Sequence, residues 1–333
     1  MPGREIMISK VMTEKEAISK FVHDGDVLTL GGFSTNRRAY GLVYEVIRQK
    51  KRNLILESGS SGGDSDMLIG SGNVKIYINS YIANSGYTNV SRRFRAAVES
   101  GAIMFDDYSL DVQTIAYHGA ALGLPYVPVK NMLGSDLEKC WGISEAEREK
   151  TDKLPNKKFI IQDNPFKSGD KLCLVPTPNI DVALIHAQVA SPDGTVRIQG
   201  PAFQDEDIAI AARYTIVSCE KLISNEEMHK EPEKNSLPGL CVDAVVPMEF
   251  GAHPSQCFGC YDYDSKFFWE YDRASKTQED FDAFMESNVL SCSNHEEYVS
   301  KFGRDRFKKL LIDKEFGYVH GIDRSKSAAL GGE

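Results

Sequence analysis

Asp24-Gly25-Asp26-Val27-Leu28-Thr29-Leu30-Gly31-Gly32-Phe33 is the stretch on which the reading of this chain turns. A tight turn leads into a short apolar strand, and two glycines stand at its carboxyl end. With no Cβ at Gly31 and Gly32, a ligand or another backbone can approach closely. Open α/β sheets bind ligands just beyond the carboxyl ends of their strands. A site is therefore expected near residues 31 to 35. No position supplies an unambiguous nucleophile to work there.

The flanking pattern alternates helix and strand. Thr13 and Glu16 have capping-box spacing, and Ala17, Ile18, Phe21 and Val22 then line one helical face. A second amphipathic helix is expected over about 39–49, with Leu42, Val43, Val46 and Ile47 inward. Asn53 to Glu57 reads as a buried strand emptying into Ser58-Gly59-Ser60-Ser61-Gly62-Gly63. Strands at 74–82 and 102–105, a helix at 91–100, a helix over about 109–122 and a strand at 126–129 continue the rhythm. Such alternation predicts βαβ units and an open, mostly parallel α/β sheet flanked by helices. Residues 131–170 break it: they are Lys-rich, with Pro155 and Pro165, and read as a surface excursion that faces function or a partner. Ile180 to His186, the turn Ser191-Pro192-Asp193-Gly194 and Thr195 to Ile198 predict a hairpin, hence antiparallel strands in the second half. A helix near 205–213, strands at 215–219 and 242–247, and polar helices from about Gln278 complete the expectation.

Bulk properties narrow the function. The chain has 333 residues, 41% of them hydrophobic, enough for a large core. A net charge of −9 argues against a nucleic-acid groove, which needs a basic face. Seven cysteines, an odd number without a framework of spacings, suit free thiols in a reducing compartment. No signal-peptide pattern and no run near the roughly 20 apolar residues of a membrane span is present. A cytoplasmic protein with no membrane partner is expected.

Several motifs carry less than they suggest. His253, Cys257 and Cys260 have spacings that suit zinc, but structural zinc sites use four ligands, usually in two pairs, and no second pair exists. They read as loop thiols and a loop histidine, with no metal. His186 closes a strand and His118 lies within a helix, positions where satisfied core histidines are the commoner case. Gly31-Gly32 lacks the G-x-G-x-x-G dinucleotide spacing, and no Walker A motif occurs. Asp64, Asp66, Asp106 and Asp107 are explained by helix capping.

In joint order, Asp24 to Phe33, Ala83-Asn84-Ser85-Gly86, Thr88-Asn89-Val90-Ser91-Arg92-Arg93-Phe94, Asp181 to Gly194 and Gly251-Ala252-His253-Pro254-Ser255-Gln256 resemble the class I CoA-transferases. The finer resemblance, from about Ser9 to Tyr318, is to the A subunits of the glutaconate type. Thr29 departs from an apolar preference in the N-terminal signature, and the Gly-x-Pro expected after Phe33 is missing. The resemblance implies one CoA-transferase α/β domain over 9–320, with tails at 1–8 and 321–333. It implies transfer of CoA between an acyl-CoA, acetyl-CoA in the first instance, and a short glutaconate-like dicarboxylic acid. The course is ping-pong, with coenzyme A as a substrate and no cofactor. In this family a glutamate attacks the thioester, which is covalent catalysis and requires oxyanion donors and exclusion of water. That glutamate lies in a Ser-Glu-Asn-Gly motif, absent here and carried by the B subunit of two-chain enzymes. The implied assembly is a hetero-oligomer of A and B subunits, with no catalytic nucleophile in this chain.

Against that background Glu57 is a decoy: it ends a strand before Ser58-Gly59, but Asn and Gly do not follow in the motif's order. Backbone amides at Gly31, Gly32 and 59–63 are candidate oxyanion donors, with ordinary βα turns as the alternative. Asn84, Ser85, Thr88 and Asn89 are candidate holders of the far carboxylate, Ser85 foremost, while Arg92, Arg93 and Arg95 fit an interface or a solvated face better. Ser109 is most simply a helix cap. The next position can face the partner's glutamate in the family, and here it is Leu110, which cannot donate. Two other readings stay open: one of the chains of a heteromeric acyl-CoA hydrolase or ring-opening CoA-ester hydrolase with the same fold, and a non-catalytic scaffold chain.

Overall fold

The capping box at Thr13 forms as its spacing predicts: the Thr13 hydroxyl accepts from Glu16 N–H, and the Glu16 carboxylate accepts from Thr13 N–H at 2.9 Å. It opens α1 (Glu14–Phe21), which buries Ala17, Ile18 and Phe21. The computed structural model describes residues 9–87 and 91–320. The expected tails at 1–8 and 321–333 lie outside the described residues. From α1 the chain runs through β1 (Val27–Leu30), α2 (Tyr40–Arg48), β2 (Leu54–Glu57), β3 (Ser60–Ser61), α3 (Gly63–Gly70), β4 (Val74–Asn79), β5 (Tyr81–Ile82), α4 (Arg92–Glu99), β6 (Met104–Asp107) and α5 (Leu110–Ala121). There follow β7 (Tyr126–Val129), α6 (Asp136–Lys139), α7 (Glu145–Arg148), β8 (Ile160–Asp163), β9 (Lys171–Pro176), β10 (Val182–Ala190) and β11 (Val196–Arg197). The last part holds α8 (Asp205–Ala211), β12 (Tyr214–Leu222), α9 (Asn225–His229), β13 (Ala244–Pro247), α10 (Ser265–Ala274), α11 (Gln278–Met285), α12 (His295–Phe302) and α13 (Arg304–Lys308).

The main sheet has the order β13-β12-β10-β1-β2-β4-β6, with every neighbouring pair parallel. From β1 the chain winds outward through β2, β4 and β6, then returns to the other side through β10, β12 and β13. The winding reverses between β1 and β10, where an open α/β sheet leaves a crevice at its carboxyl edge. The expected hairpin is present, with β11 antiparallel to β10 in the register Val189↔Arg197.

Alternation along the strands sends side chains to two faces. Leu28, Leu30, Leu54, Leu56, Leu184 and Ile216 meet α1, α2, α3 and the C-terminal helices in the largest apolar cluster. On the opposite face Ala183, Ile185 and Val217 pack under Tyr117 of α5 and Ile208 of α8. Each such leucine, isoleucine or valine side chain, fully buried, contributes about 1.5–3 kcal/mol.

Three local differences from the sequence reading follow from packing. α3 is buried along almost its whole length, so no polar face gives it a helical period. The strand expected at 74–82 breaks at Ser80, and its second piece pairs in parallel with β3. Tyr126–Val129 leaves the parallel rhythm for a small antiparallel sheet of order β7-β9-β8. Residues 131–170 belong largely to that subdomain and put Met132, Ile143, Arg148, Leu154, Lys158 and Phe159 into buried positions.

Candidate active site

The site builds outward from the end of β1. Gly31 N–H donates to Leu184 O at 2.9 Å, and Gly32 N–H donates to Asp205 Oδ1 at 2.7 Å. Both amides are thus engaged within the fold. A Cβ on Gly31 would lie 2.8 Å from Asp205 Oδ1; on Gly32, at φ 76°, it would lie 2.5 Å from the Asn36 and Arg37 carbonyl oxygens. What comes close to these glycines is the chain's own backbone and Asp205.

Two consecutive arginines follow and brace the crevice on opposite sides. Arg37 pairs with Asp205 and donates to His186 O (2.7 Å) and Pro201 O (3.1 Å), reaching into the second half of the sheet. Arg38 pairs with Asp64 at 2.7 Å and donates to Gly32 O (3.2 Å) and Ser60 O (3.0 Å), tying down the first half. All four charged side chains are buried, which is tolerable only because each charge is paired and hydrogen-bonded. Ser34, Arg37 and Phe203 have φ of 51°, 49° and 54° around this corner. Left-handed backbone in such residues costs about 1–3 kcal/mol apiece and persists where surrounding structure imposes it, often at functional sites.

The other sequence-selected residues separate into distinct roles. Asn84 is buried and its Oδ1 accepts from Gly63 N–H at 2.7 Å, fixing the start of α3. Ser85 is exposed beside it: its hydroxyl accepts from Ser34 Oγ at 2.9 Å and bonds Tyr81 OH at 2.8 Å. Ser34, Tyr81 and Ser85 thus form a cluster of neutral hydroxyls just beyond the sheet edge. Thr88 and Asn89 lie outside the described residues. Arg93 donates to the Ser275 carbonyl at 2.8 Å, Arg92 pairs with Asp272, and Arg95 pairs with Glu99 on its own helix. Ser109 occupies the N-cap position of α5 without making a cap bond; its hydroxyl is buried with no hydrogen-bond partner. Leu110 is 37% exposed.

Glu57 points to the face under the small sheet, among Tyr108, Gln113, Arg148, Pro155 and Thr177. Burial pushes its carboxyl up to about 7, against the opposing pull of Arg148 and Gln113. Nearby, Asp106 holds the buried Arg148 and Lys158 together, Lys158 at 2.9 Å.

Histidine and cysteine positions also resolve. His253 bonds Tyr298 OH (2.7 Å) and Asp264 (3.0 Å), away from any zinc-like grouping with Cys257 and Cys260. His118 is exposed and bonds Asp207. Among the described residues the one group with metal-ligand proximity is His186, Glu220 and Cys257, their ligand atoms within 4.8 Å of one another. Here Glu220 accepts from Tyr261 OH (2.6 Å) and from Phe250 and Gly251 N–H (2.7 and 3.2 Å), and pairs with His186 Nε2 at 2.7 Å. The carboxylate is saturated, and the group is a hydrogen-bonded brace under the 250–261 loop. Sequence reasoning passed over Arg37, Arg38, Asp205 and Glu220, and it assigned to helix capping the Asp64 that is here the buried partner of Arg38. The tandem arginine between two apolar runs was the visible trace of the first pair.

A doubly wound sheet with a braced crevice at its reversal is the ligand-binding arrangement of open α/β proteins. The family model described as "Coenzyme A transferase" matches residues 11–247, and the chain belongs to that family. Among its relatives, the A subunit of glutaconate CoA-transferase from Acidaminococcus fermentans is 56% identical over 319 residues, 96% of this chain and 99% of the relative. The solved structure of glutaconate coenzyme A-transferase from the same organism superimposes with a TM-score of 0.92 at 56% identity, over 95% of this chain and 99% of that one. The A subunit of 3-oxoadipate CoA-transferase from Pseudomonas knackmussii is 30% identical, over 90% of this chain and all of the relative. Among the described residues, no helix is long and apolar enough to cross a membrane.

Proposed function

We propose that this chain is the A subunit of a heteromeric CoA-transferase that exchanges CoA between a short acyl-CoA, such as acetyl-CoA, and a glutaconate-like dicarboxylic acid. The observation that carries the reading is the near full-length likeness to the A subunit of a glutaconate CoA-transferase. In this reading the attacking glutamate belongs to a B subunit, and coenzyme A is a substrate rather than a resident cofactor. The environment of Glu57 supports that division. Its carboxyl is buried among Tyr108, Gln113 and Arg148, and its raised pKa keeps much of it protonated at neutral pH, a poor state for a nucleophile.

This chain's part is to shape the chamber and hold the acid. Ser85, which accepts from the buried Ser34 hydroxyl and stands beside Tyr81 OH, offers a hydroxyl donor to the far carboxylate without desolvating a cation. Thr88 and Asn89 are proposed to extend the same donor set. The amides of Gly31 and Gly32, already bonded, fix the floor of the chamber rather than meet the oxyanion. Ser109 stands at the start of α5, next to the position proposed to face the partner.

The test uses the chain co-expressed with a partner whose sequence contains Ser-Glu-Asn-Gly, assayed against a panel of mono- and dicarboxylic acids. Transfer to short dicarboxylates is expected, and Ser85→Ala should raise KM for the acid by about tenfold, the equivalent of one lost hydrogen bond to a charged group. Release of CoA that needs no acceptor acid would overturn the transferase reading in favour of a hydrolase. A complex at full rate with both Ser85→Ala and a bulky residue at Gly32 would indicate a scaffold.

A further inference from the structure

Phe203 occupies a costly position. Its backbone is at φ 54°, where an aromatic residue is an outlier, and its ring is 40% exposed. Burial therefore does not account for the residue. The ring stacks on Phe33, with centroids 4.8 Å apart and planes at 22°. Phe33 directly follows the two glycines at the end of β1, and Ser34 of the hydroxyl cluster comes next. An apolar pair thus borders the polar donors at the rim of the crevice.

The strained turn is held from several sides. Arg37 donates to Pro201 O at 3.1 Å, Asp205 N–H donates to Ala202 O at 3.1 Å, and Gln204 Nε2 donates to Thr114 Oγ1 at 2.7 Å. The side chain of Gln204 also packs over Gly59, where a Cβ would lie 2.8 Å from its Oε1. The fold therefore over-determines where the ring sits, which is how strain is retained at functional positions.

We infer that Phe33 and Phe203 form an apolar shield beside the Ser34–Ser85–Tyr81 cluster, keeping water from the acyl group while CoA is transferred. The inference rests on the transferase reading above. Water competes with the acceptor acid: acyl-CoA plus water gives a carboxylic acid and the CoA thiol, breaking the thioester, whereas transfer conserves it. A wall with no hydrogen-bonding groups gives a water molecule nothing to bind along that side of the chamber. The shield is thus a determinant of partition between transfer and hydrolysis.

The experiment measures both products in one reaction. The chain with its partner subunit is incubated with acetyl-CoA and glutaconate, and free CoA and newly formed acyl-CoA are quantified by chromatography. Phe203→Ser should raise the ratio of hydrolysis to transfer about tenfold, a difference of one order in competing rates. Phe203→Leu, which restores apolar bulk, should return the ratio towards that of the parent. General loss of folding lowers both products together and leaves the ratio alone, so the ratio isolates the shield. An unchanged ratio in an active Phe203→Ser complex would overturn the inference and leave the transferase reading intact. Absence of transfer by the parent complex would overturn that reading itself.

Discussion

Buried charge is handled in two ways on the two sides of this sheet edge. At the crevice, Arg37–Asp205 and Arg38–Asp64 are one-to-one pairs, and both guanidinium groups also donate to backbone carbonyls. Under the small antiparallel sheet, Asp106 is shared by two buried cations, Arg148 and Lys158, with Asp107 reaching Lys158 only at 3.4 Å. Glu57 lies beside this second group with its carboxyl held near neutrality by burial. The first arrangement fixes geometry, each buried guanidinium being matched to its own carboxylate. The second leaves a group poised to titrate and links its charge to how the subdomain seats on the sheet. The lesson is that the crevice, although it is the proposed chamber, is the region where buried charges are matched one to one.

Removing one arginine from each region should give the largest contrast. Arg38→Met leaves Asp64 buried without a counter-ion and should cost about 3–5 kcal/mol in denaturant unfolding. Arg148→Met should cost less, about 0.5–3 kcal/mol, because Lys158 still neutralises Asp106. Equal losses would erase the distinction.

Glu57→Gln should sharpen it through pH. A carboxyl raised from 4.5 to about 7 stays protonated in the native state while the unfolded chain ionises it. Native stability is therefore undiminished below about 4.5, falls as pH rises through the window to about 7, and remains lower above it. The substitution should make little difference at pH 4 and stabilise by on the order of 3 kcal/mol at pH 8. A gain independent of pH would show that Glu57 does not titrate in that window.

The smallest expected effect is Ser58→Ala. Its hydroxyl meets Arg38 Nη2 only at 3.4 Å, while the guanidinium keeps Asp64 and its carbonyl acceptors. A loss of about 0.5 kcal/mol is expected. A loss near that of Arg38→Met would mean that the crevice pair depends on the loop rather than the reverse.

The strand at 27–30, the Thr13 cap and the β10–β11 hairpin were legible because each is encoded by neighbours in sequence: a turn, a capping box, a Pro-Asp-Gly corner. α3 was not, because a helix buried on all sides shows no 3.6-residue contrast. Nor was the antiparallel partner of Tyr126–Val129, since β9 joins some forty residues later and only tertiary pairing reveals it. The same applies to the site. Ser85 stands exposed in a dense polar segment, whereas Asn84, equally polar and next to it in sequence, is buried and holds the start of α3. Arg37 and Arg38 have the look of surface charge until Asp205 and Asp64 are found opposite them. Buried ion pairs join residues 26 and 168 positions apart, a separation at which local pattern carries no signal.

The most direct test is to locate the covalent intermediate. The chain and its partner subunit would be incubated with acyl-CoA alone, and peptides bearing a CoA thioester mapped by mass spectrometry. The account predicts the adduct on the partner's glutamate within Ser-Glu-Asn-Gly and none on this chain. A CoA thioester at Glu57, abolished by Glu57→Gln, would contradict it.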